Sequence, residues 1–228
     1  MMLSTEFLSQ SLHKQGYAII PSLVSPELCS STTEAYHDST RYRKTIDMQR
    51  YRFGQGEYKY FNYPLPEVIQ QLRNDLYVPL AGIANEWATH LNTGISYPDN
   101  HASFLKMCST KNQTRPTPLI LRYASGGFNT LHQDLYGDMY FPFQVVIVLN
   151  QNGVDFTGGE FVMTEQIPRA QSKALVIQPN QGDAMVFTTH SRPIKGTRGY
   201  YRANMKHGIS EVKSGERYAL GIIFHDAA

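Results

Sequence analysis

In the segment "LHQDLYG", His132 and Asp134 are separated by a single residue, Gln133. On an extended backbone, residues two apart share a face, so the imidazole and the carboxylate project together while Gln133 points away. Such a pair is two-thirds of a facial triad, in which two histidines and one carboxylate hold one face of Fe(II) and leave positions open for a co-substrate and dioxygen. The third ligand has to come from downstream, where His190, His207 and His225 are the candidates. His190 enters "SRPIKGTRG", which reads as an exposed loop, and His225 has little chain after it to support it. His207 sits inside "ANMKHGISEV", a strand candidate, with Arg217 ten residues further on.

That offset can be examined geometrically. A three-residue hairpin loop at "KSG", with Gly215 left-handed, sets Val212 opposite Glu216 and His207 opposite Gly221. His207, Arg217, Ala219 and Gly221 then share one face, and Tyr218, Leu220, Ile222 and Phe224 fill the apolar one. Arg217 would lie roughly 13 Å along the strand from the position opposite the ligand, a gap that its own length plus a short dicarboxylate can close. A guanidinium offers a permanent charge and a fork matched to carboxylate. Each residue also has a plain structural reading. His132 could be a buried histidine satisfied by a carbonyl, Asp134 a turn former before Gly137, Arg217 the surface partner of Glu211, and Tyr123 a core residue. Gly158 and Gly159 read as a bend between strands.

The elements that must position these groups fall in two textures. Residues 1–115 read as mainly helical: "SPELCSSTTEAYHDS" starts on the Ser25–Pro26 signal, and "PLPEVIQQLRNDLYVPLAGIANEWATHLN" carries apolar residues at three- and four-residue spacing, with Pro79 expected to kink or split it. From about Pro118 the chain becomes a series of short segments rich in β-branched and aromatic residues, among them "PLILRYA", "FPFQVVIVLN", "KALVIQP", "DAMVFTT" and "RYALGIIFHD". Gly, Pro, Asn and Asp separate them. The expected fold is mainly β with N-terminal helices: a double-stranded β-helix (jelly roll) core over 116–228, flanked by a helical layer, in a single domain of 228 residues.

His132-x-Asp134, His207 and Arg217, together with "GGEF", "GDAMVF" and "HGISEVKSGERYALGIIF", resemble the Fe(II)- and 2-oxoglutarate-dependent dioxygenase superfamily. "LRYASGGFNTLHQD" is in addition similar to a stretch of the AlkB-type nucleic-acid demethylases, and the whole chain is similar to a bacterial oxygenase family proposed to act on damaged DNA. The resemblance implies that His132, Asp134 and His207 bind Fe(II) and that Arg217 holds the distal carboxylate of 2-oxoglutarate with help from the Tyr123 hydroxyl. Dioxygen is then the second co-substrate, and no protein acid or base beyond the metal ligands is required. Leu121 and Ile223 stand where the AlkB pattern has asparagine and a second arginine, a departure that touches the lesion-recognition part of the likeness.

A formal charge of +2 is too small to imply nucleic-acid binding by itself, so any basic patch must be local. The stretch Arg41 to Tyr63 carries six basic residues among seven aromatics. Arg50, Arg52 and Lys59 are its candidates for phosphate contact, with rings available to unstacked bases; the competing reading is a helix end followed by aromatic packing over the barrel mouth. A second basic run, "SRPIKGTRGYYR", reads as a loop near the site. Two cysteines, Cys29 and Cys108, make no disulfide framework, and no stretch reads as a secretory leader or membrane span, so a reducing cytoplasm is expected. The functional expectation is a dioxygenase that hydroxylates or oxidatively demethylates its substrate, alkylated DNA or single-stranded nucleic acid among the candidates. The alternatives are hydroxylation of a small molecule or protein side chain, a jelly-roll protein using another metal, and a nonenzymatic nucleic-acid module.

Overall fold

Residues 4–228 are described by a computed structural model; residues 1–3, at the start of the stretch read for a leader, lie outside the described residues. Helix α1 (Thr5–Gln15) is capped by Ser4, whose hydroxyl accepts the Phe7 N–H, and ends at Gly16, which takes φ +80° and turns the chain into β1 (Tyr17–Ile20). Helix α2 (Pro26–Glu34) begins on the expected signal, with Ser25 accepting the Leu28 N–H.

The next segment departs from expectation. Arg41 to Tyr63 contains no α-helix but β2 (Tyr42–Asp47), β3 (Gly54–Gln55) and β4 (Glu57–Phe61). The first 115 residues are therefore less helical than the composition suggested. Strand β4 lies along the first core strand, β5 (Leu119–Ala124), and β2 pairs outside it. The aromatics of "EYKYF" alternate at period two, and that pattern prevails once a core strand edge is available. Helices α3 (Glu67–His90) and α4 (His101–Ser109) complete the helical layer. Pro79 does not split α3: Leu76, Tyr77, Leu80, Ile83 and Trp87 are buried on both sides of it, and their packing outweighs the one hydrogen bond that proline removes.

The remaining strands are β6 (Phe128–His132), β7 (Phe143–Val148), β8 (Phe156–Gly158), β9 (Phe161–Gln166), β10 (Lys173–Ile177), β11 (Ala184–Thr188), β12 (Ser191–Gly196), β13 (Gly199–Ile209) and β14 (Val212–Ile223). They form two antiparallel sheets, a larger one ordered β1-β11-β7-β14-β5-β4-β2 and a smaller one ordered β10-β9-β13-β6-β3, the expected jelly roll. The helices cover the outer face of the larger sheet around Leu80, Trp87, Phe143, Ile147, Leu220 and Phe224. A second core, with Val146, Val148, Met163, Met185, Phe187 and Ala219, lies between the sheets.

The sequence-derived hairpin is not formed. Strand β13 pairs with β9, β6 and β12, whereas β14 pairs with β5, β7 and β8, so Ser210 and Glu211 cross from one sheet to the other. Alternation of faces is preserved across such a corner, which is why the face assignment survives the wrong pairing. Gly215 does have φ +75°, but where β14 pairs with β8 and a Cβ would come within 2.0 Å of the Asp155 carbonyl oxygen. "SRPIKGTRGYYR" is likewise a pair of strands, β12 with the start of β13, and none of its residues lines the central cavity. Cys29 and Cys108 are buried and free.

Candidate metal centre

His132 ends β6, and the register of the smaller sheet places it directly across from His207 of β13. Their rings lie 4.3 Å apart between centroids. Asp134 reaches both: its Oδ1 is 3.5 Å from His132 Nε2 and its Oδ2 is 3.3 Å from His207 Nε2. Gln133 points the other way, as alternation requires, and donates to the carbonyls of His190 and Met205 at 2.8 and 2.9 Å, which pins the ligand segment. The three sequence-predicted ligands therefore meet. His190 and His225 do not join them.

The imidazoles are prepared for an ion. His132 Nδ1 lies 2.7 Å from the Thr130 carbonyl oxygen and donates to it, so Nε2 keeps its lone pair toward Asp134, the orientation a ligand histidine needs. His207 is fixed by packing, with the Phe161 ring parallel at 5.9 Å and Phe187 at 4.7 Å, and its buried Nδ1 has no partner among the described residues. Burial and then the adjacent His207 push the His132 imidazole below its ordinary pKa. Burial would raise the Asp134 carboxyl, but the His207 hydrogen bond and both imidazoles hold it at about 2. The site thus brings together a carboxylate and two imidazole nitrogens, the carboxylate oxygens 3.3 and 3.5 Å from the two Nε2 atoms, near the roughly 3 Å spacing of adjacent ligands around an ion about 2.1 Å from each, and all three donors within 4.8 Å of one another.

Across the cavity, in the larger sheet, Arg217 of β14 pairs in register with Tyr123 of β5. Arg217 is 2 % exposed, its guanidinium 5.9 Å from the Tyr123 ring, and among the described residues no carboxylate pairs with it. The expected structural partner Glu211 is not there. Burial lowers the Arg217 pKa and lifts that of Tyr123 to about 12, and the buried Tyr123 hydroxyl has no hydrogen-bond partner among the described residues. A buried cation beside an unpaired hydroxyl, with open space in front of them, is a costly arrangement that a small anion relieves. His132, Asp134, His207, Tyr123 and Arg217 all line one cavity of about 160 Å³.

Four features escaped the sequence reading. Gln144 lines the cavity with its amide nitrogen buried and unpartnered, and nothing in "FPFQVVIVLN" but a lone amide in an apolar run marks it. Tyr58 and Tyr60 face the cavity from β4, visible in the sequence only if "EYKYF" is taken as a strand. Tyr136 lines the cavity and is exposed, which places it at the mouth. Gly159 does more than bend the chain: a Cβ there would come within 2.8 Å of Arg217 Cδ, so this glycine makes room for the guanidinium.

The phosphate candidates divide. Arg50 is 81 % exposed and 3.7 Å from Asp47, and Arg52 takes φ +60° just before Phe53, which lines the cavity. Lys59 faces away. Its ammonium sits 4.0 Å over the Tyr36 ring and donates to the Tyr36 carbonyl, because alternation turns it opposite to Tyr58 and Tyr60.

Residues 56–227 match the model of a family described as an oxygenase catalysing oxidative methylation of damaged DNA. Uncharacterized proteins from two strains of Mycobacterium tuberculosis, CDC 1551 / Oshkosh and H37Rv, are each 47% identical over 168 residues, 74% of this chain and 72% of theirs. Among solved structures, a Pseudomonas putida prolyl-4-hydroxylase superposes with TM-score 0.60 at 14% identity over 98% of this chain and 100% of its own. A 2OG-Fe(II) oxygenase family oxidoreductase from Burkholderia pseudomallei gives TM-score 0.57 at 16% identity, over 99% and 91%. At such identities the likeness is one of fold. Among the described residues, no helix is long and apolar enough to cross a membrane.

Proposed function

The chain belongs to this oxygenase family, and on that premise we propose that it is a single-domain Fe(II)- and 2-oxoglutarate-dependent dioxygenase acting on alkylated nucleic acid. The observation that carries the reading is the pairing across one small cavity of a His-Asp-His donor set with a buried arginine that no carboxylate of the described residues neutralises. Metal hydrolases and isomerases on similar folds have no use for a dicarboxylate anchor, so Arg217 favours the oxygenase.

His132, Asp134 and His207 would hold Fe(II), which with 2-oxoglutarate and dioxygen supplies oxidation of a substrate C–H bond. Arg217 and the Tyr123 hydroxyl would receive the distal carboxylate, fixing which end of the oxo-acid faces the ligands. Tyr58, Tyr60, Phe161 and Phe187 line the same cavity with their rings, and the lower local dielectric would strengthen the Arg217 contact. Oxidation of an N-methyl group in this way releases formaldehyde and restores the base.

Nucleic acid as substrate is supported by the mouth. Tyr51 and Phe53 are exposed and stacked, with centroids 5.5 Å apart, and they stand beside Arg50 and Arg52. Exposed rings next to cations suit an unstacked base and its phosphates, and a target base must leave its stack to reach a recessed cavity. The test is succinate and formaldehyde release by the Fe(II)-loaded protein on single-stranded oligonucleotides carrying N-methylated bases. Turnover with such strands and not with unmethylated ones supports the reading. Equal succinate release with both, or coupling only to small metabolites or peptides, would assign the chemistry to another substrate.

A further inference from the structure

A second set of metal donors meets between α1 and α3, on the helical layer. His13 lies in the last turn of α1, and Glu86 and His90 stand one turn apart near the end of α3. His13 Nε2 is 3.4 Å from Glu86 Oε1, His90 Nε2 is 3.9 Å from the same oxygen, and the donor atoms lie within 4.8 Å of one another. Donors held tetrahedrally about 2.0–2.1 Å from a zinc-sized ion are about 3.3 Å apart. The His13–Glu86 edge already has that length, and His90 needs a shift of well under an ångström along its own edge with Glu86.

The hydrogen bonds point the same way. His13 Nδ1 lies 2.8 Å from the Ser9 carbonyl and donates to it, which leaves Nε2, 3.4 Å from Glu86 Oε1, as the ring's acceptor atom. The same Nδ1–H···O=C bond is what orients a metal-binding histidine. His90 is held flat against Tyr200, with centroids 3.7 Å and planes 12° apart, and its buried Nδ1 has no partner among the described residues. The indole N–H of Trp87 donates to His13 Nε2 at 3.1 Å and must give up that acceptor when an ion arrives. Trp87 is the sole tryptophan of the chain, so it reports the event.

We propose that His13, Glu86 and His90 bind a divalent first-row transition ion, zinc being the best match to two imidazoles and a carboxylate, and that the ion ties α1 to α3 independently of the iron site. Arg192, buried beside these ligands, donates to the His13 carbonyl and pairs with Glu165, so it offers no free charge to a substrate, and the ion binds and braces without turning one over.

The test uses the full chain carrying His132→Ala and His207→Ala, which disables the first site. Titration with zinc chloride should show one equivalent bound, a change in Trp87 fluorescence and a higher melting temperature. Nickel should quench the same fluorescence. Adding either Glu86→Gln or His90→Ala, each of which leaves His13 and its indole contact in place, should weaken zinc binding at least about 10-fold, with the metal-free melting temperature and circular dichroism showing that the fold persists. Absence of zinc binding to the doubly substituted protein would overturn the proposal. So would an affinity indifferent to both Glu86→Gln and His90→Ala.

Discussion

Arg217 and Tyr123 stand opposite each other on adjacent strands, so the buried guanidinium and the unpaired phenol hydroxyl face one cavity as a unit. The pair is arranged for an anion that the protein itself does not provide. Arg217→Met should therefore weaken 2-oxoglutarate binding by at least about 30-fold, since removing one partner of a buried charge pair costs about 2–5 kcal/mol. The same substitution should raise the urea midpoint of the metal-free protein, because it removes an uncompensated buried charge. Equilibrium titration and urea unfolding check the two halves; unaltered 2-oxoglutarate affinity, or a fall in stability, would contradict this role.

Gly159 offers an independent handle on the same contact. It takes φ +64°, and a methyl group there would crowd Arg217 Cδ at 2.8 Å and Val212 Cγ2 at 3.0 Å. Gly159→Ala should cost about 1–3 kcal/mol of stability from the backbone conformation and should also weaken 2-oxoglutarate binding by displacing the guanidinium. Isothermal titration on protein that remains folded separates the two effects. Lost stability with unchanged affinity would mean that the glycine serves the bend alone.

At the mouth, the two arginines and the lysine should behave differently. Arg50→Ala with Arg52→Ala should weaken single-stranded DNA binding and flatten the slope of log affinity against log salt by about 1.4, the value for two lost phosphate contacts. Phe53→Ala should cost about 1–3 kcal/mol through lost base stacking. Lys59→Ala should leave DNA binding alone, because its ammonium is committed to Tyr36 on the other face of β4. Fluorescence anisotropy at several salt concentrations measures all three, and a Lys59 effect equal to that of the arginines would place the DNA elsewhere.

How legible these features were depended on whether local pattern or long-range pairing decided them. His132 and Asp134 were readable because strand alternation is local, and the apolar face of Tyr218, Leu220, Ile222 and Phe224 for the same reason. The partner strands were not: "HGISEVKSGERY" reads as a hairpin, and only the closing of two sheets sends β13 and β14 apart. The Arg217–Tyr123 register and the Gly159 clearance depend on that closure, so nothing near them in sequence announces them. The direction of Lys59 was not legible because basic residues count alike in a composition, whereas on β4 alternate residues face opposite sides.

Acid should loosen the fold through His225. The Phe141 N–H donates to its Nδ1 at 3.2 Å, which requires an unprotonated nitrogen, and burial followed by the Arg73 charge lowers its pKa from 6.5 to about 4. A depressed histidine adds stability that is complete above the unfolded value and is lost as pH falls from there through the folded value. The loss should therefore run from about pH 6.5 to about pH 4 and amount to about 3 kcal/mol for a shift of this size. His225→Asn, which keeps an acceptor near the Phe141 N–H and does not titrate, should flatten the dependence of the urea midpoint on pH over that window. An identical slope in the variant would show that other groups govern acid unfolding.

The most direct test of the central claim is anaerobic titration of the metal-free protein, carrying Glu86→Gln and His90→Ala to silence the donors between α1 and α3, first with Fe(II) and then with 2-oxoglutarate. One equivalent of iron should bind in a manner abolished by His207→Ala and by Asp134→Ala but retained by Arg217→Met, and 2-oxoglutarate should then bind tightly only where both iron and Arg217 are present. Iron binding that survives loss of His207 or Asp134, or 2-oxoglutarate binding that ignores Arg217, would contradict the account.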